Sequence, residues 1–158
     1  MKITATEEYG VRMLIRIASA DASTGMSIPQ LSEAEGLSEP HVAKICRILR
    51  MSGFINSTPG NKGGYVLSTS AETIRLSDVM KALGGNLFDQ QFCETHTGLG
   101  RLCTNSVDCS TRSLWKMIQF TLDNLLTKLT LKDLMVHEKE AELKIEQVIQ
   151  RNLDEMLK

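Results

Sequence analysis

The chain has 158 residues, enough for one domain of ordinary size to bury a core without disulfide staples. Apolar residues make up 42%, aromatic residues 4% and charged residues 23%, with a formal net charge of -1, which excludes disordered and collagen-like classes and does not by itself advertise nucleic acid. No apolar run approaches the roughly 20 residues that span a bilayer, and the opening MKITATEEYG lacks a basic-then-apolar signal pattern, so the expected location is cytoplasmic, with no membrane partner. Thiols stay reduced there, and clustered cysteines then point to metal binding or redox sensing rather than crosslinks.

Taken in chain order, Tyr9, Met13, Leu14, Ile17 and Ala18 recur at three-to-four spacing and predict a first helix from Thr6 to Ala20, capped by Thr4 or Thr6. SIPQLSEAEG predicts a short second helix with Pro29 in its first turn and Gly36 as its stop. SEPHVAKICRILRMSG predicts a third, with Ser38 as N-cap, Gly53 as terminator, and Val42, Ile45, Cys46, Leu49 and Met51 on its inner side. Two short helices joined by a glycine-bearing turn form a helix-turn-helix pattern, whose second helix enters a major groove.

FINSTPGNKGGYVLS then reads as two short strands, Phe54 to Ser57 and Tyr65 to Leu67, around a glycine-rich tip, which makes the hairpin "wing" of a winged helix. Residues 36–65 carry four cations, Lys44, Arg47, Arg50 and Lys62, against one anion, Glu39, a net of +3 suited to phosphate contact. Ser38, Pro40, His41 and Lys44 are expected to face the groove, with Arg47 on a phosphate or base and Gly60, Asn61, Lys62 and Gly63 bringing the wing backbone close to DNA. For Arg50 a solvated or salt-bridged surface role weighs at least as much.

IRLSDVMKALGG predicts a fourth helix capped by Ser77 and ended by Gly84 and Gly85. CETHTGLGRLCTNSVDC, residues 93–109, lacks the periodicity of helix or strand and holds three of the four cysteines at C-x9-C-x5-C spacing. Cys46, by contrast, occupies an apolar helix position and reads as a small core residue. Thiolates are soft ligands for zinc or iron-sulfur centres that need four donors, so one is missing from the stretch. Glu8, Glu94, His96, Asp108 and a residue of a second subunit are the candidates. The absence of C-x2-C and H-x3-H spacing ranks an iron-sulfur cluster above zinc, with thiol-only redox sensing third.

SLWKMIQFTLDNLLTKLT predicts a long apolar-striped helix from Ser113 to Leu129, Thr130 caps a short turn at LKDLM, and HEKEAELKIEQVIQRNLDEMLK forms a charged amphipathic helix. No G-x-S-x-G, phosphate loop or H-E-x-x-H is present, so a non-enzyme is expected.

MKITATEEYGVRML, the run LSEAEGLSEPHVAKICRILRMSGFINSTPGNKGGYVLS, IRLSDVMKAL, three cysteines before a helix containing SLW, and LTLKDL together resemble the Rrf2 family of bacterial transcription regulators over residues 1 to about 136. The resemblance implies a mainly α fold with a small β-hairpin wing. Its parts would be a winged helix-turn-helix domain over 1–84, a cysteine cluster-binding loop over 85–112, a dimerisation helix and following turn over 113–136, and a charged tail over 137–158. It implies a homodimer on an inverted-repeat operator in double-stranded DNA. Cys93, Cys103 and Cys109 match the family thiolates of an iron-sulfur cluster, of 2Fe-2S type ahead of 4Fe-4S, that senses redox, nitric oxide or iron status. Nine residues replace the commoner five in the first interval, and Arg112 stands where some members carry a ligating histidine. Glu8 matches the acidic first-helix ligand of other members, and would come from the partner subunit. The alternatives are a zinc-stabilised or thiol-redox DNA-binding regulator, and an iron-sulfur electron-transfer protein.

Overall fold

The computed structural model of the protein describes residues 3–59, 63–86, 88, 90–100 and 102–156. Helix α1 (Ala5–Ser19) starts at Thr4, whose hydroxyl accepts the Glu7 amide at 3.3 Å while the Glu7 carboxylate accepts the Thr4 amide at 2.7 Å. This reciprocal cap satisfies otherwise orphaned groups and contributes about 1 kcal/mol. The helix buries Gly10, Met13, Leu14 and Ile17 and leaves Glu8, Arg12 and Arg16 outside. Helix α2 (Ile28–Glu35) repeats the device with Ser27 and Gln30 and stops at Gly36, which takes the left-handed conformation.

Helix α3 (Glu39–Met51) follows at once and buries Val42, Ile45, Cys46 and Leu49. Ser38 holds the N-cap position, but its side chain makes no capping hydrogen bond. Met51, expected on the inner side, is 75% exposed. It lies two residues past Leu49, about 200° around the axis, and so on the opposite face.

Strands β1 (Ile55–Ser57) and β2 (Tyr65–Leu67) pair antiparallel with Ile55 opposite Leu67 and Ser57 opposite Tyr65. The wing is fixed to the turn before α2. The Tyr65 amide donates to the Met26 carbonyl at 2.8 Å, and the Met26 amide to the Tyr65 carbonyl at 3.0 Å. A Cβ at Gly25, where φ is 65°, would lie 2.3 Å from the Tyr65 carbonyl oxygen, and one at Gly64 would lie 2.6 Å from that of Thr24. Only glycine lets the two backbones approach so closely.

Helix α4 (Leu76–Gly84) starts earlier than Ser77 as a cap would require: Arg75 is the N-cap, without a side-chain bond, and Ser77 is buried inside the helix. The cause is tertiary, because the Leu76 amide donates to the Leu129 carbonyl at 3.0 Å and the Leu131 amide to the Ile74 carbonyl at 2.9 Å. A strand-like bridge thereby takes over what a side-chain cap would do. It also brings Leu129 and Leu131 into the core with Leu14, Leu31, Leu49 and Val79.

The cysteine stretch is not wholly irregular: Cys93 lies in a short helix, α5 (Gln90–Thr95). An aromatic stripe at i, i+4 spacing organises it, with Phe88 and Phe92 ring centroids 5.7 Å apart and the Phe92 and His96 rings stacked at 4.1 Å. Helix α6 (Ser110–Lys128) begins three residues before the expected Ser113, with Cys109 as N-cap, and ends before Leu129. A turn of tight helix (Leu131–Leu134) is capped by Thr130, whose amide and hydroxyl both donate to the Asp133 carboxylate. Helix α7 (Glu138–Met156) packs on α6, with Lys128 bonded to Asn152 and to Glu155.

Candidate nucleic-acid interface and cysteine cleft

The outer side of α3 exposes Pro40, Lys44 and Arg47 at four- and three-residue steps, the spacing of one helical stripe, with Ser38 and Glu39 at its start and Arg50 beside it. Among the described residues, Lys44, Arg47 and Arg50 join no ion pair, so their charges face solvent. His41 is set apart from the other expected groove contacts. Its ring is half-buried and meets Tyr9 edge-on at 5.8 Å, tying α3 to α1. Gly63 is exposed at the wing, whereas Gly60, Asn61 and Lys62 lie outside the described residues.

The helix pair is held in pose by Glu35, whose carboxylate is 1% exposed. It accepts a hydrogen bond from Arg16 Nε at 2.8 Å, and Arg12 Nη2 stands 2.6 Å from its second oxygen as a charge contact without hydrogen-bond alignment. Glu8 lies one turn before Arg12, with its carboxylate 3.9 Å from Arg12 Nη1 and its side chain 57% exposed. The first-helix acid, a second arginine and the end of α2 thus form one chain of charge.

Two of the expected cysteine ligands share a second candidate site. Cys93 on α5 and Cys103 on the following loop line one cleft of about 410 Å³, together with Phe88, Glu94, Thr97, Leu102, Ser106, Arg112 and Lys116. Cys109 stands at the start of α6, outside that lining, with its sulfur 3.1 Å from the Thr111 hydroxyl. The Thr111 hydroxyl, then the Arg112 amide and the Arg112 charge, hold its thiol below the ordinary value against a smaller opposing effect of burial. Burial alone pushes the Cys46 thiol the other way, up to about 11.

Arg112 reaches back across the loop, its Nη2 donating to the carbonyls of Asn105 at 3.0 Å and Ser106 at 2.8 Å. Its Nε is buried with no acceptor among the described residues. Sequence reasoning noticed Arg112 only as a residue that cannot ligate; with Lys116 one turn later, it places two cations on the cleft wall.

Of the other candidate donors, His96 stacks on Phe92 with Nδ1 3.0 Å from both the Thr95 hydroxyl and the Phe92 carbonyl, and Asp108 is exposed. Glu94 lines the cleft, and Glu8 does not. Among the described residues, no three His, Cys, Asp or Glu side chains meet at ligand distance within one chain. Soft thiols, two cations and an orphaned buried N–H nevertheless match an anionic, sulfur-rich group in chemistry.

Helix α6 buries none of its residues and exposes Leu114, Trp115, Met117 and Phe120. No helix among the described residues is long and apolar enough to cross a membrane.

The profile of the family described as Rrf2, iron-dependent transcriptional regulator, matches residues 3–137 and so stops where α7 begins. Protein rrf2 of Nitratidesulfovibrio vulgaris is 34% identical over 135 residues, covering 85% of this chain and 87% of that one. Among solved structures, IscR of T. potens matches with a TM-score of 0.65 at 25% identity, covering 85% of this chain and 86% of the other. CymR, the global cysteine regulator of B. subtilis, matches with a TM-score of 0.65 at 26% identity, covering 85% and 96%. The winged helix-turn-helix fold expected from the sequence is shared with these regulators, and the chain belongs to the Rrf2 family of transcriptional regulators.

Proposed function

We propose that the protein is a cytoplasmic, homodimeric regulator that binds an inverted-repeat operator and whose affinity is set by an iron-sulfur cluster. Cys93, Cys103 and Cys109 would hold the cluster, with Glu8 supplied by a second copy of the chain. The observation that carries this reading is the cleft itself: two thiols and two cations share its lining, with the third thiol, held below its ordinary value by the Thr111 hydroxyl, at the start of α6. That no full ligand set gathers within one chain among the described residues supports a site completed across a dimer, and the exposed apolar face of α6 supplies a surface for it. The chain would divide into a DNA-binding domain over 1–84, a cluster-binding loop over 85–112, a dimerisation helix and turn over 113–136 and a charged tail over 137–158.

When bound, the cluster supplies a redox-active centre that oxidants or nitric oxide can dismantle. The chain's own residues carry the consequence. Glu8 either rests near Arg12 or is drawn to the cysteines of the second copy. Arg12 and Arg16 grip Glu35 at the end of α2, so a pull on α1 shifts the pose of α2 and α3. Twofold reading of half-sites makes a small change of pose costly. The cluster can shift affinity only by its preference between the two poses.

Anaerobic purification with absorbance, iron and sulfide analysis tests the reading. Visible absorbance with matching iron and sulfide is expected from the wild type, and much less from Cys103→Ser. A colourless protein that takes up no iron and sulfide on reconstitution contradicts it. A mixed dimer tests the shared ligand: one copy carries Glu8→Ala and the other lacks all three loop cysteines. Such a dimer should hold one cluster, and none if Glu8 acts within its own chain.

A second reading has its own observation. Cys93 and Cys103 line the same cleft, so an iron-free protein whose DNA affinity falls on oxidation and recovers with reductant would be a thiol switch.

A further inference from the structure

Pro40, Lys44 and Arg47 share one exposed stripe of α3, and His41 does not join it. At 3.6 residues per turn, His41 stands about 100° round the axis from Pro40 and about 60° from Lys44, on the flank between that stripe and the buried face of Val42, Ile45 and Leu49. That flank meets α1. There the half-buried Tyr9 ring lies at 86° to the His41 ring with centroids 5.8 Å apart, an arrangement that aromatic pairs prefer. The Arg12 guanidinium carbon lies 5.7 Å from the centroid of the same Tyr9 ring, and Arg12 Nη2 reaches Glu35 at the end of α2. Helix α1 therefore holds the helix-turn-helix at two points: α2 through Glu35, and the first turn of α3 through His41.

We propose that Tyr9 and His41 are positioning residues for sequence reading: their ring contact fixes the rotation of α3 about its own axis and so aims the stripe of Pro40, Lys44 and Arg47 at base edges. The inference goes beyond the reading above and rests on its DNA-binding part alone, since no cluster enters it. Base edges are read only from a fixed register, whereas phosphates accept a cation from a range of poses. Loosening the ring contact therefore costs specific affinity. It leaves non-specific affinity, which the surface cations carry, where it was.

The test uses the full chain and two duplexes of equal length: one that the wild type enriches from a randomised pool, and the same sequence scrambled. At matched salt, and well below the thermal midpoint of each variant, Tyr9→Leu and His41→Leu are each expected to lower the ratio of the two affinities about 5-fold. Affinity for the scrambled duplex and its salt slope stay at wild-type values. The double variant loses no more than either single one, because both break the same contact. Tyr9→Phe and His41→Phe, which keep a ring on each side, restore most of the ratio. Additive losses in the double variant, or lower thermal midpoints with an intact ratio, overturn the proposal and leave the pair as ordinary packing. A His41→Phe protein that loses preference at one base pair, while Tyr9→Leu keeps the wild-type ratio, overturns it by making His41 a base contact. A wild type that enriches no sequence from the pool overturns the underlying DNA-binding reading as well.

Discussion

Cys46 lies wholly buried on α3 among Val42, Ile45 and Leu49, whereas Cys109 stands at the start of α6 beside the Thr111 hydroxyl. Burial pushes the first thiol up to about 11, and hydrogen bonds draw the second down. The same contrast divides the molecule. Helices α1 to α4 each bury a face in a common core, while α6, at 19 residues, buries none of its side chains. One region closes its core within a single chain; the other leaves its three thiols partly exposed and an apolar stripe, Leu114, Trp115, Met117 and Phe120, facing outward. Stability therefore belongs chiefly to the first region, and the responsiveness proposed above would fall to the second.

That division can be broken by measurement. Leu49→Ala, in the core, is predicted to cost about 2–5 kcal/mol in equilibrium unfolding, whereas Cys103→Ser in apo protein should stay within about 0.5 kcal/mol of wild type. Equal losses would mean that the cysteine region is part of the folding core. Lys44→Ala or Arg47→Ala is predicted to weaken operator binding by about 1–3 kcal/mol at fixed salt, with no change in thermal midpoint. An unchanged affinity for both variants would remove α3 as the reading helix.

The Cys46 thiol offers a pH test. Its folded value is raised above the ordinary 9.0, so the folded state keeps a proton that the unfolded chain releases. The contribution is whole below pH 9 and is lost as pH rises through about 11. The stability gap between wild type and Cys46→Ala is therefore predicted to shrink by about 1–2 kcal/mol across that window. A constant gap would show that Cys46 is not buried as described. Among the variants expected to lose stability, the smallest loss belongs to Glu35→Gln, about 1 kcal/mol, because Arg12 and Arg16 are half-exposed and solvent screens their loss. Operator affinity should fall with it, since the α1 to α2 tie is cut.

What could be read in advance follows the same divide. The cap at Thr4, the stop at Gly36 and three-to-four spacing lie within a few residues of one another and mark α1 to α3 closely, and the glycine-rich tip between two short apolar runs marks the hairpin. Ser77 misled because the start of α4 is satisfied by Leu129, some fifty residues away. Helix α5 was missed because its signal is a short aromatic stripe, Phe88, Phe92 and His96, inside a polar stretch with few periodic positions. The thiols were legible as a type and spacing. The role of Arg112 was not, since only the folded loop brings its guanidinium to Asn105 and Ser106 and withdraws Nε from water.

The most direct measurement is operator binding by matched cluster-loaded and apo forms of one preparation, at a single salt concentration and under anaerobic conditions. The account predicts that the two forms differ in affinity by about 5-fold or more, with Cys103→Ser behaving as the apo form whatever iron is supplied. Identical affinities for loaded and apo protein would contradict it.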